Sequence, residues 1–358
     1  MVLVFYEVIR VLVYIFILIA IICSGLTAAK KNEFFKDYCS SKNTATINGI
    51  FSVLIFLSHS VQYVKLDGVL DAPYFDLRSF LGQLVVVTYL FYSGYGIMES
   101  ARKKGTDYIK AMPKNRLFKL WYHFAIVVIL YIITAFITGR KLDLLKTVLA
   151  FTGATSVGNS NWYMFVTFAM YIIIIVAFLI FKKSNKLALV GVFVLTGIFA
   201  YVEYKLGVPS RFYNTVFCFP AGMLFSELKP YIDKALMKND IAWYTGFTVI
   251  GGLFVFFSHN RADSVIHHSV FAILGALLVT VAFMKINVSS SILDWFGEHI
   301  FSFFILQRIP MALLKFAGVN KIPVAFIILS FFSTVLLAML FDTAMDKLDG
   351  KIFRRSKR

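Results

Sequence analysis

The sequence predicts an all-α fold, a polytopic transmembrane helical bundle of about eleven spans, on three observations. Of 358 residues, 59% are hydrophobic and only 15% charged, with a mean hydropathy of +0.78; that leaves too little polar surface to cover a water-soluble globule. Apolar runs of roughly 20 residues, the length a helix needs to cross a hydrocarbon core of about 30 Å, recur at short intervals. Segments such as 171–181 are apolar on every face, whereas the strands of a membrane barrel alternate apolar and polar over about ten residues.

The spans are expected near 3–25, 47–64, 79–99, 117–138, 162–181, 187–205, 212–227, 242–258, 268–284, 296–314 and 322–341. The first resembles a secretory signal in hydrophobicity but lacks a basic start and a small-residue cleavage site, so it reads as a retained anchor. Alternating the eleven across the membrane puts 24 of the 36 Lys and Arg residues in loops on one side and ten on the other. The positive-inside bias then sets the N-terminus outside and the run Arg354, Arg355, Lys357, Arg358 in the cytoplasm. The organisation is a helix and loop over 1–45, one membrane domain over 46–341 and a basic cytoplasmic tail over 342–358. Topology and contact with anionic lipid head groups account for the net charge of +17. No segment is long enough for a basic nucleic-acid-binding module, so the expected partners are the lipid bilayer and a membrane-side substrate. Cys23, Cys39 and Cys218 show neither a disulfide framework nor zinc spacing.

Ionisable residues inside spans are costly and usually face a bundle interior or a water-filled cavity, so function is sought there. At 100° per residue, Asn48, Ser52, Ile55, His59 and Gln62 fall within about 40° of one line on the second span, a mostly polar stripe about 16 Å long from Asn48 to His59. Hydrogen bonding between helices is its bland explanation. Arg308, counted along an unbroken tenth span, stands about 18 Å from Phe296; a guanidinium there needs a partner or ligand, and Glu203 is one candidate. Ser93-Gly94-Tyr95-Gly96 offers close backbone approach and a phenol, or simply a small-residue helix contact. Asn161-Trp162-Tyr163 opens the fifth span, where an interfacial aromatic anchor is the plain reading. His267-His268 has no third ligand nearby, so no metal site is expected. No Gly-x-Ser-x-Gly elbow, phosphate loop or Cys-x-x-Cys occurs.

Four matches in order give the chain a family likeness. They are Asn48 to His59; Phe80-Leu81-Gly82-Gln83 running into Leu90-Phe91-Tyr92-Ser93-Gly94-Tyr95-Gly96 and the basic Lys114 to Lys119; Asn161-Trp162-Tyr163 with Phe217-Cys218-Phe219-Pro220-Ala221-Gly222-Met223; and Phe296-Gly297-Glu298-His299 leading to Phe304-Ile305-Leu306-Gln307-Arg308. From Thr46 to Phe341 the chain resembles the acyltransferase-3 family of integral membrane acyltransferases, with ten core helices to which the first span would be an addition. Two positions depart from its pattern: Asn48 stands where the family usually has Arg or Lys, and Gln307 where many members have His.

The resemblance implies an O-acyltransferase moving an acyl group, most often acetyl from cytoplasmic acetyl-CoA, to a hydroxyl of a cell-surface polysaccharide or other extracytoplasmic glycan. No bound cofactor is implied. His59 and Arg308 would be catalytic, since a neutral imidazole can take the proton of an attacking hydroxyl near pH 7 and a guanidinium can stabilise an oxyanion. Asn48, Ser52, Gln62, Ser93, Tyr95, Trp162, Tyr163 and Gln307 would line the acyl-donor and substrate path. Lys114, Arg116 and Lys119 would hold coenzyme A phosphates, or serve only as inside-positive anchors. Two rivals remain: a transporter or flippase, for which neither inverted repeats nor interrupted helices are evident, and a catalytically silent family member, for which Asn48 is the best argument.

Overall fold

The computed structural model describes residues 12–66, 71–182 and 184–353. The start of the first predicted span and the basic run from Arg354 onward lie outside these residues. The chain is a helical bundle. Helices α1 (Leu12–Gly25), α2 (Ser41–Ser60), α3 (Asp71–Leu81), α4 (Leu84–Met112), α5 (Lys119–Ile137), α6 (Leu144–Ala150), α7 (Trp162–Ile180), α8 (Asn185–Lys205), α9 (Cys218–Leu236), α10 (Asp240–His259) and α11 (Val265–Ala282) are followed by α12 (Ser291–Glu298), α13 (Ile300–Leu306), α14 (Arg308–Phe316) and α15 (Pro323–Ile352). Among the described residues six apolar stretches are long enough to cross a membrane: the run from α3 to α5, then α7, α8, α10, α11 and α15, with the bent α12 to α14 unit as a seventh. Helix α2 completes the pattern with its own polar stripe, and α1 is a shorter apolar helix.

Starts follow from capping. Ser40, Ser184, Asn239, Ser264 and Ser290 each accept a hydrogen bond from the backbone N–H three residues on, satisfying a donor the helix cannot. The helices then meet through small residues that bring backbones together, as membrane bundles require. A Cβ on Gly94 would lie 2.0 Å from the Phe219 carbonyl oxygen and one on Gly222 1.8 Å from that of Phe91, so α4 and α9 touch backbone to backbone from both sides. The same reciprocal contact joins α2 to α12: a Cβ on Gly49 would be 1.9 Å from the Leu293 oxygen and one on Gly297 1.8 Å from that of Ala45.

Several boundaries differ from the sequence expectation, each for a local reason. Residues near 212–217 form a short 3-10 turn and bends, and α9 begins only at Cys218 and continues past 227 to Leu236. The 79–99 span is cut at Gly82, whose φ of +42° separates α3 from α4; α3 holds part of the expected outer loop. The tenth span is broken, with α12 and the α13–α14 unit bent by 73°. Residues 342–352 continue α15 rather than leaving it as a loose tail, and β1 (Leu26–Ala28) pairs antiparallel with β2 (Ile286–Val288), tying α1 to the core. Cys39 is buried, and burial pushes its thiol up to about 12, which makes it inert.

The end carrying the start of α2 is rich in ion pairs: Arg102 with Glu99 and Glu227, Lys229 with Asp233, Lys285 with Asp240 and Lys119 with Asp349. His59 stands at the opposite end. Because the α2–α12 contact has no room for a side chain, Gly297→Ala should destabilise the protein by about 1–3 kcal/mol, lowering the midpoint of thermal unfolding in detergent. Gly251→Ala, with nothing within 4 Å of its Cβ, should leave the midpoint unchanged or raised.

Candidate active site

Helix α2 is unbroken from Ser41 to Ser60, so the stripe predicted on it survives as a line through the bundle. Midway, the Tyr89 hydroxyl of α4 lies 3.1 Å from Ser52 Oγ and donates to the Asn48 carbonyl at 3.2 Å. Ser52 is buried, and Asn48 Oδ1 is buried without a hydrogen-bond partner. Tyr89 meets Tyr163 edge-on at 6.1 Å, Tyr163 meets Phe304 at 5.7 Å, and Phe304 lies 6.2 Å from the His59 ring. A wall of aromatic rings therefore leads from Tyr89 to His59.

The His59 imidazole lines a cavity of about 140 Å³ with Ser58, Gln83, Trp162, Arg211 and Phe304. Its Nδ1 is buried and has no hydrogen-bond partner. Gln307 is adjacent and fully buried; its Nε2 donates to the Phe304 carbonyl at 2.7 Å, which leaves Oε1 unpaired. Buried polar atoms rarely go unpaired; these two sit together, and the Gln307 amide is itself a hydrogen-bonding neighbour of the His59 ring. Arg78 and Arg308 flank the ring, the first held by Ser58 Oγ at 3.1 Å.

The break in the tenth span places Arg308. Pro310 has no N–H for the Leu306 carbonyl, and the neighbouring Ile305 carbonyl is taken by the Tyr131 hydroxyl at 2.7 Å. The chain resumes as α14 with Arg308 at its first residue, where Nε donates to Ser160 Oγ at 3.0 Å and Nη2 to Gln62 Oε1 at 3.0 Å, with the Tyr63 hydroxyl at 3.5 Å. The depth reckoned along a straight helix therefore does not apply. Arg308 reaches His59's end of α2 because of the bend, and it is partnered by neutral groups. Glu203 is buried at the far end of α8, lines neither this cavity nor the Arg308 network, and is not the partner.

Of the residues singled out by sequence, the structure brings His59, Gln62, Trp162, Tyr163, Gln307 and Arg308 to one end, with Ser52 and Asn48 below them. Ser93 and Tyr95 are farther along α4. Tyr95 packs on Phe225 at 6.1 Å, near Glu99 and Arg102, and Gly94 between them serves the α9 contact. Lys114, Arg116 and Lys119 are at the basic end; Lys119 bonds Asp349 at 2.5 Å, and Lys114 lies 5.8 Å from the Phe353 ring, while Arg116 is exposed. His267 Nδ1 lies 2.8 Å from Oγ of Ser264, the N-cap of α11, and no metal-binding cluster occurs among the described residues. Sequence reasoning missed Tyr89, Ser160, Tyr63, Arg78 and Arg211. Arg78 and Arg211 counted there only as loop charges, and only contacts between distant segments reveal the other three.

The model of the Acyltransferase domain, Acyl_transf_3, matches residues 47–343, from just before Asn48 to within α15. The chain belongs to the acyltransferase-3 family. No curated protein and no solved structure matches it. As a membrane acyltransferase it needs a base, a stabiliser of developing negative charge and a place where both meet a carbonyl. His59, the nearby Arg308 and the cavity that His59 lines with Arg211 can supply these. Arg308 uses its fork to reach two separate acceptors, a geometry that Lys does not reproduce. Arg308→Lys should therefore lower acyl transfer by about tenfold or more, at unchanged membrane abundance measured by immunoblot.

Proposed function

We propose that the protein is an O-acyltransferase that moves an acetyl group from cytoplasmic acetyl-CoA to a hydroxyl of a cell-surface polysaccharide or other extracytoplasmic glycan. The observation that carries this reading is the His59 imidazole, which lines a cavity at the end of the bundle away from the basic loops and has the Gln307 amide and Arg308 near it. The basic end is assigned to the cytoplasm by its Lys and Arg content, which puts His59 on the acceptor side and makes the protein a multi-pass cell-membrane enzyme.

In this reading His59 takes the proton of the acceptor hydroxyl, whose oxygen attacks the thioester carbonyl. Arg308 faces the oxygen on which negative charge develops. The carbon–sulfur bond then breaks, an ester forms, and the coenzyme A thiolate takes up the proton. Lys114 and Arg116 are placed to hold the phosphates of coenzyme A at the basic end; Lys119 must first give up Asp349. The α2 stripe, about 16 Å from Asn48 to His59, is the line along which the extended pantetheine arm reaches the base. Tyr89, hydrogen-bonded to both Ser52 and Asn48, closes that line and has to swing aside. Ser93 and Tyr95 lie nearer its entry.

The test measures acetyl ester on surface glycan from cells expressing the wild type, His59→Ala or no protein, with membrane abundance matched. Ester is expected with the wild type and reduced by about 10²–10⁴-fold in His59→Ala. Normal acetylation by the alanine variant would remove His59 from the chemistry. Absence of ester even with the wild type would favour a transporter or a catalytically silent family member.

A further inference from the structure

On the far side of Arg308 from His59 lies a second cavity, of about 420 Å³, between the end of α5, the α6–α7 loop and α14. It carries three cationic side chains, Arg140, Arg308 and Lys315, and among the described residues no Asp or Glu lines it. Each is held by neutral groups. Arg140 donates to the Val157 carbonyl at 3.3 Å, Lys315 lies 5.8 Å from the Tyr63 ring, and Arg308 bonds Ser160, Gln62 and Tyr63 as described. Arg308 and Lys315 are seven residues apart on α14, two turns along one face, about 10 Å at the helical rise. The loop is shaped to admit Arg140. Gly158 has a φ of +124°, and a Cβ there would lie 3.0 Å from the guanidinium, so the backbone and the cation share a space that only glycine leaves open.

Like charges gathered in one cavity with no counter-charge among the described residues repel one another, Arg140 and Lys315 at its exposed rim and Arg308 half-buried between them and His59. An anion relieves this, and guanidinium groups suit phosphate or carboxylate oxygens. We propose that this cavity binds an anionic group, a phosphate or carboxylate, borne by the glycan acceptor. The inference rests on the acyltransferase reading above and narrows its acceptor to an acidic glycan. The position of Arg308 favours an acceptor over a passing lipid. It lines this cavity and stands near His59, and Gln62, which it grips, is three residues beyond His59, just past the end of α2. An anion held between Arg140 and Lys315 therefore leaves the rest of the molecule facing the base. Arg140 and Lys315 are positioning residues in this scheme.

The experiment uses the full chain in phosphatidylcholine nanodiscs without acyl donor, with glucose 1-phosphate and glucose as probes and thermal unfolding as the readout. Glucose 1-phosphate should stabilise the wild type and glucose should not. The Arg140→Gln/Lys315→Gln variant should bind glucose 1-phosphate about tenfold more weakly or worse, while the Arg140→Lys/Lys315→Arg exchange keeps binding. Equal responses to the two sugars, or undiminished binding by the neutral variant, would overturn the proposal. If the double variant does not fold, judged by size exclusion, Lys315→Gln alone at its exposed site decides by the same comparison. Repeating the measurement in phosphatidylglycerol discs separates the sources of phosphate. Stabilisation by that lipid through the same two residues, with none by glucose 1-phosphate, makes the cavity a head-group site and ends the proposal. Since no transfer is measured, binding that is seen while the ester assay fails counts against the acyltransferase reading and not against the cavity.

Discussion

Polar groups carried through hydrocarbon must find partners inside the protein, and α2 carries several. Its neighbours are arranged around that need. Glycines at Gly49 and Gly297 let α2 and α12 touch along their backbones, and Gly94 and Gly222 do the same for α4 and α9. Holding α4 this close sets Tyr89 against Ser52 and Asn48. The stripe is then enclosed by protein on its inner half and opens into a cavity only at His59. Removing the close contacts would spread the helices and expose the stripe to lipid, so the packing and the site are one problem solved together.

The second constraint is the break before Arg308. It follows a 73° bend at His299, between α12 and the α13–α14 unit. Gly297 seats one half on α2, Pro310 interrupts the ladder, and Tyr131 satisfies the carbonyl that the interruption exposes. Arg308 is left at a helix start, free to reach Ser160 on one loop and Gln62 on another. Backbone irregularity at membrane depth is tolerated where protein buries it or where it lines a cavity. Both conditions are met here.

Much of this was legible in the sequence, and what was not has a physical reason. Hydropathy found the helices because the membrane imposes length and composition on each segment separately, and the His59 stripe was visible because an unbroken helix keeps its period. The failures all concern interactions between segments. The bend at His299 depends on Asp342 of α15, which bonds its Nδ1 at 2.5 Å, and the discontinuity before Arg308 on Tyr131 of α5, which takes the Ile305 carbonyl. Nothing local to 296–314 except Pro310 hints at either. The displacement of α9 to Cys218 depends on Ser269 holding the Asn214 carbonyl at 2.9 Å, a bond between residues 55 apart. Tyr89 looked like any apolar-helix tyrosine until the α2 contact gave its hydroxyl two partners.

Asn48 is the residue on which the family likeness and the structure press in different directions. A basic side chain at this point would lie at the inner end of the stripe, with Tyr89 closing the line above it. The backbone carbonyl, which any residue here would offer, accepts from Tyr89, while the asparagine Oδ1 is buried and unpaired. An unpaired buried amide oxygen costs about 1–3 kcal/mol, which a protein keeps only when something compensates it. A donor arriving along the stripe would do so: the amide N–H groups of a pantetheine arm can pair with that oxygen as the arm displaces Tyr89. In the proposed transfer the charge that asparagine lacks would be carried at the mouth by Arg116 and Lys114, which are exposed and need no buried partner. On this argument the substitution moves the recognition of the donor's negative charge outward and leaves a neutral, hydrogen-bonding lane leading to His59.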